Sequence, residues 1–392
     1  KKMLNKHNNS FFKSLDYGLL IILAVILIVS LAVLSTASIN VIPSDPYHYV
    51  KKQVIMIISG LIIAAFVAAI DYEHWRKLSW WIYGFNILLL ALVFFVGSSA
   101  KGAQRWIPVF GDFNIQPSEF AKILLIVTFA HYLSQRKDKL NNVRDFITPL
   151  LFVLPPTMLV FLQPDLGSAL VFGAIFIGMM FVAGANPWKF GAIIVGSLAV
   201  TVGAVYFHFA KNLPWPLSYL EGLPLPLEDY QLARLLVFID PAADKSGAGY
   251  HVIQSVWAIG SGGLWGKGYR GGTQAQLNFL PEHHTDFIFS VIGEEFGFIG
   301  TSIVLFLLCI FLLRMISIAL KARDDFGMLI VAGFVSMLTF HILVNVGMAS
   351  GIMPVTGIPL PFLTAGGSSM WANMMGVGLV LSVAIRRERP MF

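Results

Sequence analysis

The sequence predicts an all-α polytopic membrane protein of about ten transmembrane helices, and three observations carry that prediction. Hydrophobic residues make up 57% of the chain and charged residues 12%, with a mean hydropathy of +0.75, far from the balance of a soluble domain of 392 residues. Apolar stretches recur at about 16–37, 52–70, 79–97, 117–134, 146–163, 167–184, 188–208, 287–313, 327–349 and 370–386. Each is close to the roughly 20 residues a helix needs to cross a bilayer. Lys and Arg gather in the short loops of one side, as expected where positive loops stay cytoplasmic.

Taken in order, the first apolar run follows Lys1, Lys2, Lys6 and Lys13 and has no convincing small-residue cleavage site. It is expected to be an uncleaved span behind a cytoplasmic tail, 1–15. The fifth and sixth runs are separated only by "QPDLG", a tight turn. With the N-terminus inside, seventeen Lys and Arg fall in cytoplasmic segments and nine outside. Five of the nine lie in one long loop, which weighs little in setting orientation. Both termini are therefore expected to be cytoplasmic. Two unusual segments then face outward: "GSSAKGAQRWIPVFGDFNIQPSEFAK" between spans three and four, and the large loop 209–286. No internal repeat is evident, and residues 1–392 are expected to form a single integral-membrane domain.

Composition also excludes. The single Cys309 permits neither a disulfide framework nor a cysteine zinc site. The net charge of +6 is scattered through inter-span loops, which topology explains better than a nucleic-acid partner does.

Ionisable residues at bilayer depth are costly, so each needs a partner or a task. Glu119 and Lys122, three apart, share one face of the fourth span and either neutralise each other or serve a substrate. Asp165 sits at the five–six turn, and Asp286 at the mouth of the eighth span, where Asp286 or Thr285 could also be a helix cap. Glu294 and Glu295 read as packed or paired groups. His283 and His284 are adjacent and lack zinc spacing. The stretch "GSGGLWGKGYRGG" fails the phosphate-loop pattern, since Gly268 follows Lys267 where Ser or Thr is required. A flexible loop is the plain reading; Lys267 and Arg270 gripping a lipid phosphate is the other.

Five blocks, "KGAQRWI", "QPSEFAK", "QPDLGSA", "LPEHHTDFIFSVIGEEFG" and "PLPFLTAGGSS", occur in this order along nearly the whole chain. Together they resemble the signature blocks of the SEDS family (shape, elongation, division and sporulation), and "GGTQAQLNFLPEHHTDF" is similar to its elongation branch. The resemblance implies a ten-span peptidoglycan glycosyltransferase. Such an enzyme polymerises lipid II on the outer face of the bacterial cytoplasmic membrane, beside a class B penicillin-binding protein and other elongation-complex proteins. It implies Asp286 as the essential acidic residue, Trp106 as the essential outer-loop tryptophan, support from Lys101, Arg105, Glu119, Lys122 and Asp165, and a divalent cation, Mg or Mn, with no organic cofactor. The Pro-rich segment 213–229 is less typical of the family.

The chemistry is compatible with these residues. Polymerisation needs a base for the attacking sugar hydroxyl, positive charge for the departing pyrophosphate, and a lipid-accessible groove. Inversion in one displacement requires a single carboxylate as base, for which Asp286 is the candidate, with His284 helping to position it. Lys101, Arg105, Lys122, Lys267 and Arg270 are the cations available to the leaving group, and the "TAGGSS" turn offers N–H groups at a helix start. A metal on Asp286 or Glu119 would do similar work. Trp106 would stack on a sugar or anchor the interface. Two rival readings remain: a lipid II flippase, and a non-catalytic scaffold for a transpeptidase.

Overall fold

The computed structural model describes residues 15–42, 44–100, 103–110, 113–136, 140, 143–209, 234, 237–238, 247–277 and 279–387. Its helices are α1 Tyr17–Ala37, α2 His48–Ala69, α3 Tyr72–Lys77, α4 Ser79–Val96, α5 Pro117–Ser134, α6 Val143–Leu162, α7 Leu166–Val182 and α8 Pro187–Phe209. They continue with α9 Ala248–Gly262, α10 Thr273–Gln276, α11 Ile288–Ala319, α12 Asp325–Ala349 and α13 Gly367–Ile385. Lys101, the tail 1–14 and the Pro-rich segment 213–229 lie outside the described residues.

The ten expected stretches each fall on a long helix, but among the described residues only eight helices are long and apolar enough to cross a membrane. The shortfall has a physical cause. α7 is only 17 residues long, and α5 carries Glu119, Lys122 and His131. An all-α chain is also not the whole description. Strands Ser98–Ala100 (β1), Ala103–Phe110 (β2) and Phe113–Ile115 (β3) form an antiparallel sheet of order β1-β2-β3. Its register pairs Ser98 with Trp106 and Ile107 with Ile115.

Burial sorts the helices. α13 is 83% buried over its apolar window and α12 67%, whereas α8 is 7% buried and presents Trp188, Val195, Val200 and Tyr206 outward. Lipid supplies little drive for helices to associate, so polar ties and close packing hold the centre. Trp371 Nε1 donates to Ser59 Oγ at 2.8 Å, and Ser382 Oγ to the Ile70 carbonyl at 2.7 Å, joining α13 to α2.

Backbone groups freed inside the bilayer must find partners within the protein. Pro156 in α6 has no N–H for the Phe152 carbonyl, and Tyr83 Oη of α4 donates to that oxygen at 2.8 Å. α11 is broken at Gly297, which has φ +64, a conformation that favours glycine. The loop after α9 repairs the break. Lys267 N donates to Glu294 O at 3.0 Å and Gly268 N to Glu295 O at 2.9 Å. In return Phe298 N donates to Gly263 O at 2.9 Å and Ile299 N to Leu264 O at 3.2 Å.

Candidate active site

Three helices begin around one cavity of about 400 Å³. Gln116 at the start of α5, Gly167 and Ser168 in the first turn of α7, and Gly366 to Ser369 at the start of α13 all line it. Helix starts carry unpaired N–H groups and partial positive charge, so their convergence favours an anion. The start of α7 is satisfied by Asp165, whose Oδ1 accepts from Ser168 N at 3.1 Å. The start of α5 is tied to α13, because Gln116 N donates to Ser368 Oγ at 3.0 Å. α13 has no side-chain cap.

Asp165 is the centre of a polar knot. Its Oδ2 accepts from Gln116 Nε2 at 3.1 Å and from Ser118 Oγ at 3.2 Å, and Arg105 Nη1 lies 3.8 Å from Oδ1. Arg105 also donates to the Pro164 carbonyl at 2.5 Å, which fastens strand β2 to the turn before α7. Trp106, next along β2, lines the cavity.

On the floor, Lys122 Nζ donates to Glu119 Oε1 at 2.8 Å, and His341 Nε2 of α12 lies 3.5 Å from the same ammonium. All three side chains are buried and line the cavity.

Asp286 also lines the cavity, with Glu282, Thr285 and Arg234. It is not a helix cap: the N-cap of α11 is Phe287, with no side-chain cap, and Thr285 Oγ1 donates back to Glu282 Oε2 at 3.1 Å. Its backbone is anchored instead, since Asn345 Nδ2 of α12 donates to the Asp286 carbonyl at 2.9 Å. Gly357 closes the wall at φ +74; a Cβ there would meet Asp286 Oδ2 at 3.5 Å and Arg234 Nη1 at 3.9 Å.

The cavity therefore gathers Arg105, Trp106, Glu119, Lys122, Asp165 and Asp286 from the expected residues. It does not gather Lys267, Arg270 or His284. Lys267 Nζ pairs with Glu294 Oε1 at 2.7 Å. Arg270 is exposed and donates to Tyr47 Oη at 3.2 Å. The His284 ring packs against Tyr49 with centroids 4.5 Å apart, while its backbone carbonyl accepts from Ala365 N. His283, on the same loop, is buried, and burial pushes its imidazole below the ordinary 6.5 despite the Leu280 carbonyl at Nδ1.

Sequence reasoning missed Arg234, Glu282, His341 and Ser168, while the "TAGGSS" turn it singled out brings Ser368 and Ser369 to the cavity. The expected divalent cation finds no ready cage. Among the described residues no group of three or more His, Cys, Asp or Glu side chains gathers closely enough to hold a metal ion, and Glu119 is already engaged by Lys122.

Comparison with known proteins decides the family. The "Cell cycle protein" model that covers FtsW, RodA and SpoVE matches residues 14–389. The chain belongs to this family. Among the SEDS relatives, it is 36% identical over 377 residues to the peptidoglycan glycosyltransferase MrdB of Escherichia coli K12, covering 95% of this chain and 94% of that protein. It is 34% identical to the peptidoglycan glycosyltransferase RodA of Treponema pallidum, covering 95% and 98%. Among solved SEDS-like structures, a peptidoglycan synthase complex described as coordinating polymerization and crosslinking matches with TM-score 0.75 and 34% identity, covering 94% of this chain and 97% of that one. Thermus thermophilus RodA matches with TM-score 0.66 and 31% identity, covering 96% and 98%.

Proposed function

We propose that this protein is a peptidoglycan glycosyltransferase that polymerises lipid II during cell elongation, with Asp286 as general base. The observation that carries the reading is the cavity, in which the Asp286 carboxylate shares one space with buried and half-buried cations and converging helix starts. Its relatives named for this activity support it.

The reaction needs one displacement. Asp286 takes the proton of the acceptor sugar hydroxyl as its oxygen attacks the donor's anomeric carbon. The bond from that carbon to the diphosphate oxygen breaks, and the electron pair leaves with the diphosphate. Configuration inverts, and no covalent enzyme intermediate forms. A positioned base of this kind contributes about 10² to 10⁴ in rate. Arg105, Arg234 and Lys122 offset the charge that develops on the leaving group. Trp106 offers an aromatic face to a sugar.

The site is read as facing outward, where a lipid-linked disaccharide meets water, with both termini in the cytoplasm. A class B penicillin-binding protein is the partner that fits, because a matching solved complex couples polymerization with crosslinking.

The test is conversion of fluorescent lipid II to glycan by the purified protein, alone and with that partner. Polymer formation supports the reading. Scrambling of lipid II across vesicles without polymer would make the protein a flippase, and neither activity would make it a scaffold.

A further inference from the structure

His341 is fully buried on α12, lines the cavity, and stands one turn before Asn345, the residue that holds the Asp286 backbone. Four helical residues advance about 6 Å, so His341 stands about one turn along α12 from the residue that anchors the Asp286 backbone. Its Nε2 is 3.5 Å from Lys122 Nζ. An ammonium can only donate, so Nε2 accepts, and the ring proton of the neutral imidazole sits on Nδ1. Nδ1 has no hydrogen-bond partner among the described residues. A buried, unsatisfied N–H is costly, and an incoming acceptor offsets that cost.

The start of α13 faces the same space. Gly367, Ser368 and Ser369 line the cavity, and the helix lacks a side-chain cap. Open N–H groups at a helix start bind anions. Lys122 is meanwhile held from two sides, by Glu119 at 2.8 Å and by His341, so its ammonium cannot swing away from this space.

We propose that His341 is a positioning residue: it aims Lys122, beside the open start of α13, at the diphosphate of the lipid-linked donor. This deepens the glycosyltransferase reading and rests on it. As the anomeric carbon–oxygen bond breaks, the electron pair settles on the diphosphate oxygen. The new negative charge meets Lys122 and the α13 N–H groups, while the proton displaced from the acceptor resides on Asp286. Base and leaving-group site thus share one rigid helix, α12, through Asn345 and His341.

The experiment is binding of undecaprenyl pyrophosphate to the complete protein in lipid nanodiscs, by native mass spectrometry. His341→Leu is expected to weaken binding at least about tenfold, the equivalent of losing one charge-assisted bond. His341→Gln, whose amide can take the place of Nε2, should bind within about threefold of the native protein. The paired change Glu119→Gln with Lys122→Met keeps the site neutral and folded, and should weaken binding like His341→Leu. Undecaprenyl monophosphate should bind at least about tenfold more weakly than the pyrophosphate. Inorganic pyrophosphate separates sources: displacement of the lipid assigns recognition to the diphosphate alone, and failure to displace it assigns recognition to the lipid-linked form.

The proposal is overturned if His341→Leu binds as tightly as the native protein, if Gln and Leu weaken binding equally, or if the monophosphate binds as well as the pyrophosphate. Asp286→Asn keeps the two readings apart. It should bind undecaprenyl pyrophosphate within about twofold of native, since it removes no cation. Polymerisation surviving in that variant would end the base assignment and leave the diphosphate result to be judged by itself.

Discussion

Two glutamate–lysine pairs of nearly equal length do different work. Glu294 and Lys267 meet at 2.7 Å, Glu119 and Lys122 at 2.8 Å. Glu294 Oε1 accepts from Lys267 Nζ, Thr273 N, Thr273 Oγ1 and Gln274 N at 2.7–3.1 Å. Its carboxylate is spent on the backbone of α10, and the pair fastens the loop after α9 onto the broken helix α11. Lys122 keeps its ammonium at the floor of a cavity, held by Glu119 and His341. An ion pair whose acceptor is saturated by local backbone is a fastener. One that lines a cavity beside an uncapped helix start can receive a ligand.

The contrast is open to direct attack. The largest effect should come from the paired change Glu119→Gln with Lys122→Met, which should reduce lipid II polymerisation about 100-fold or more while shifting stability by less than about 1.5 kcal/mol. Full activity in the doubly substituted protein would make this pair a fastener too.

Glu294→Ala should behave in the opposite way. It strands the N–H groups of Thr273 and Gln274 and should cost about 2–4 kcal/mol in thermal unfolding. An unaltered unfolding temperature would show that the loop is held by other contacts.

The ion pair at the start of α1 gives a pH test. Burial works against ionised Asp16, but Arg314 at 2.8 and 3.0 Å, the Leu19 N–H and Arg387 outweigh it, and its carboxyl is held below the ordinary 3.8. A carboxyl depressed in the folded state adds stability that is complete above its unfolded value. That stability is lost as pH falls below 3.8 toward the folded value. Acid unfolding should therefore steepen below about pH 4, and Arg314→Met should flatten that limb. Identical acid limbs in both proteins would refute the linkage.

The smallest effect belongs to Arg270→Ala, which should alter polymerisation less than about threefold, because the side chain is exposed and bonds Tyr47 outside the cavity. A large loss would restore it as a phosphate ligand.

How much of this was legible in the sequence follows from the range of each interaction. The spans were visible because apolar length is a local property. Asp286 stood out as a carboxyl at the start of an apolar run, and Glu119 with Lys122 because three residues make one helix face. The sheet was missed because β1 and β3 are three residues each, too short for alternation to show. The pairing of Lys267 was not legible, because its partner is 27 positions away and nothing local announces it. His341 and Arg234 reach the cavity only through tertiary packing. A lone histidine in an apolar helix and an arginine in a long loop carry no spacing signal.

The central claim is that Asp286 is the base of a cavity built to part a sugar from its diphosphate. The most direct measurement is the turnover of fluorescent lipid II by Asp286→Asn in complex with the partner. The account predicts a loss of about 100-fold or more with native folding and native binding of undecaprenyl pyrophosphate; polymer produced at the native rate would contradict it.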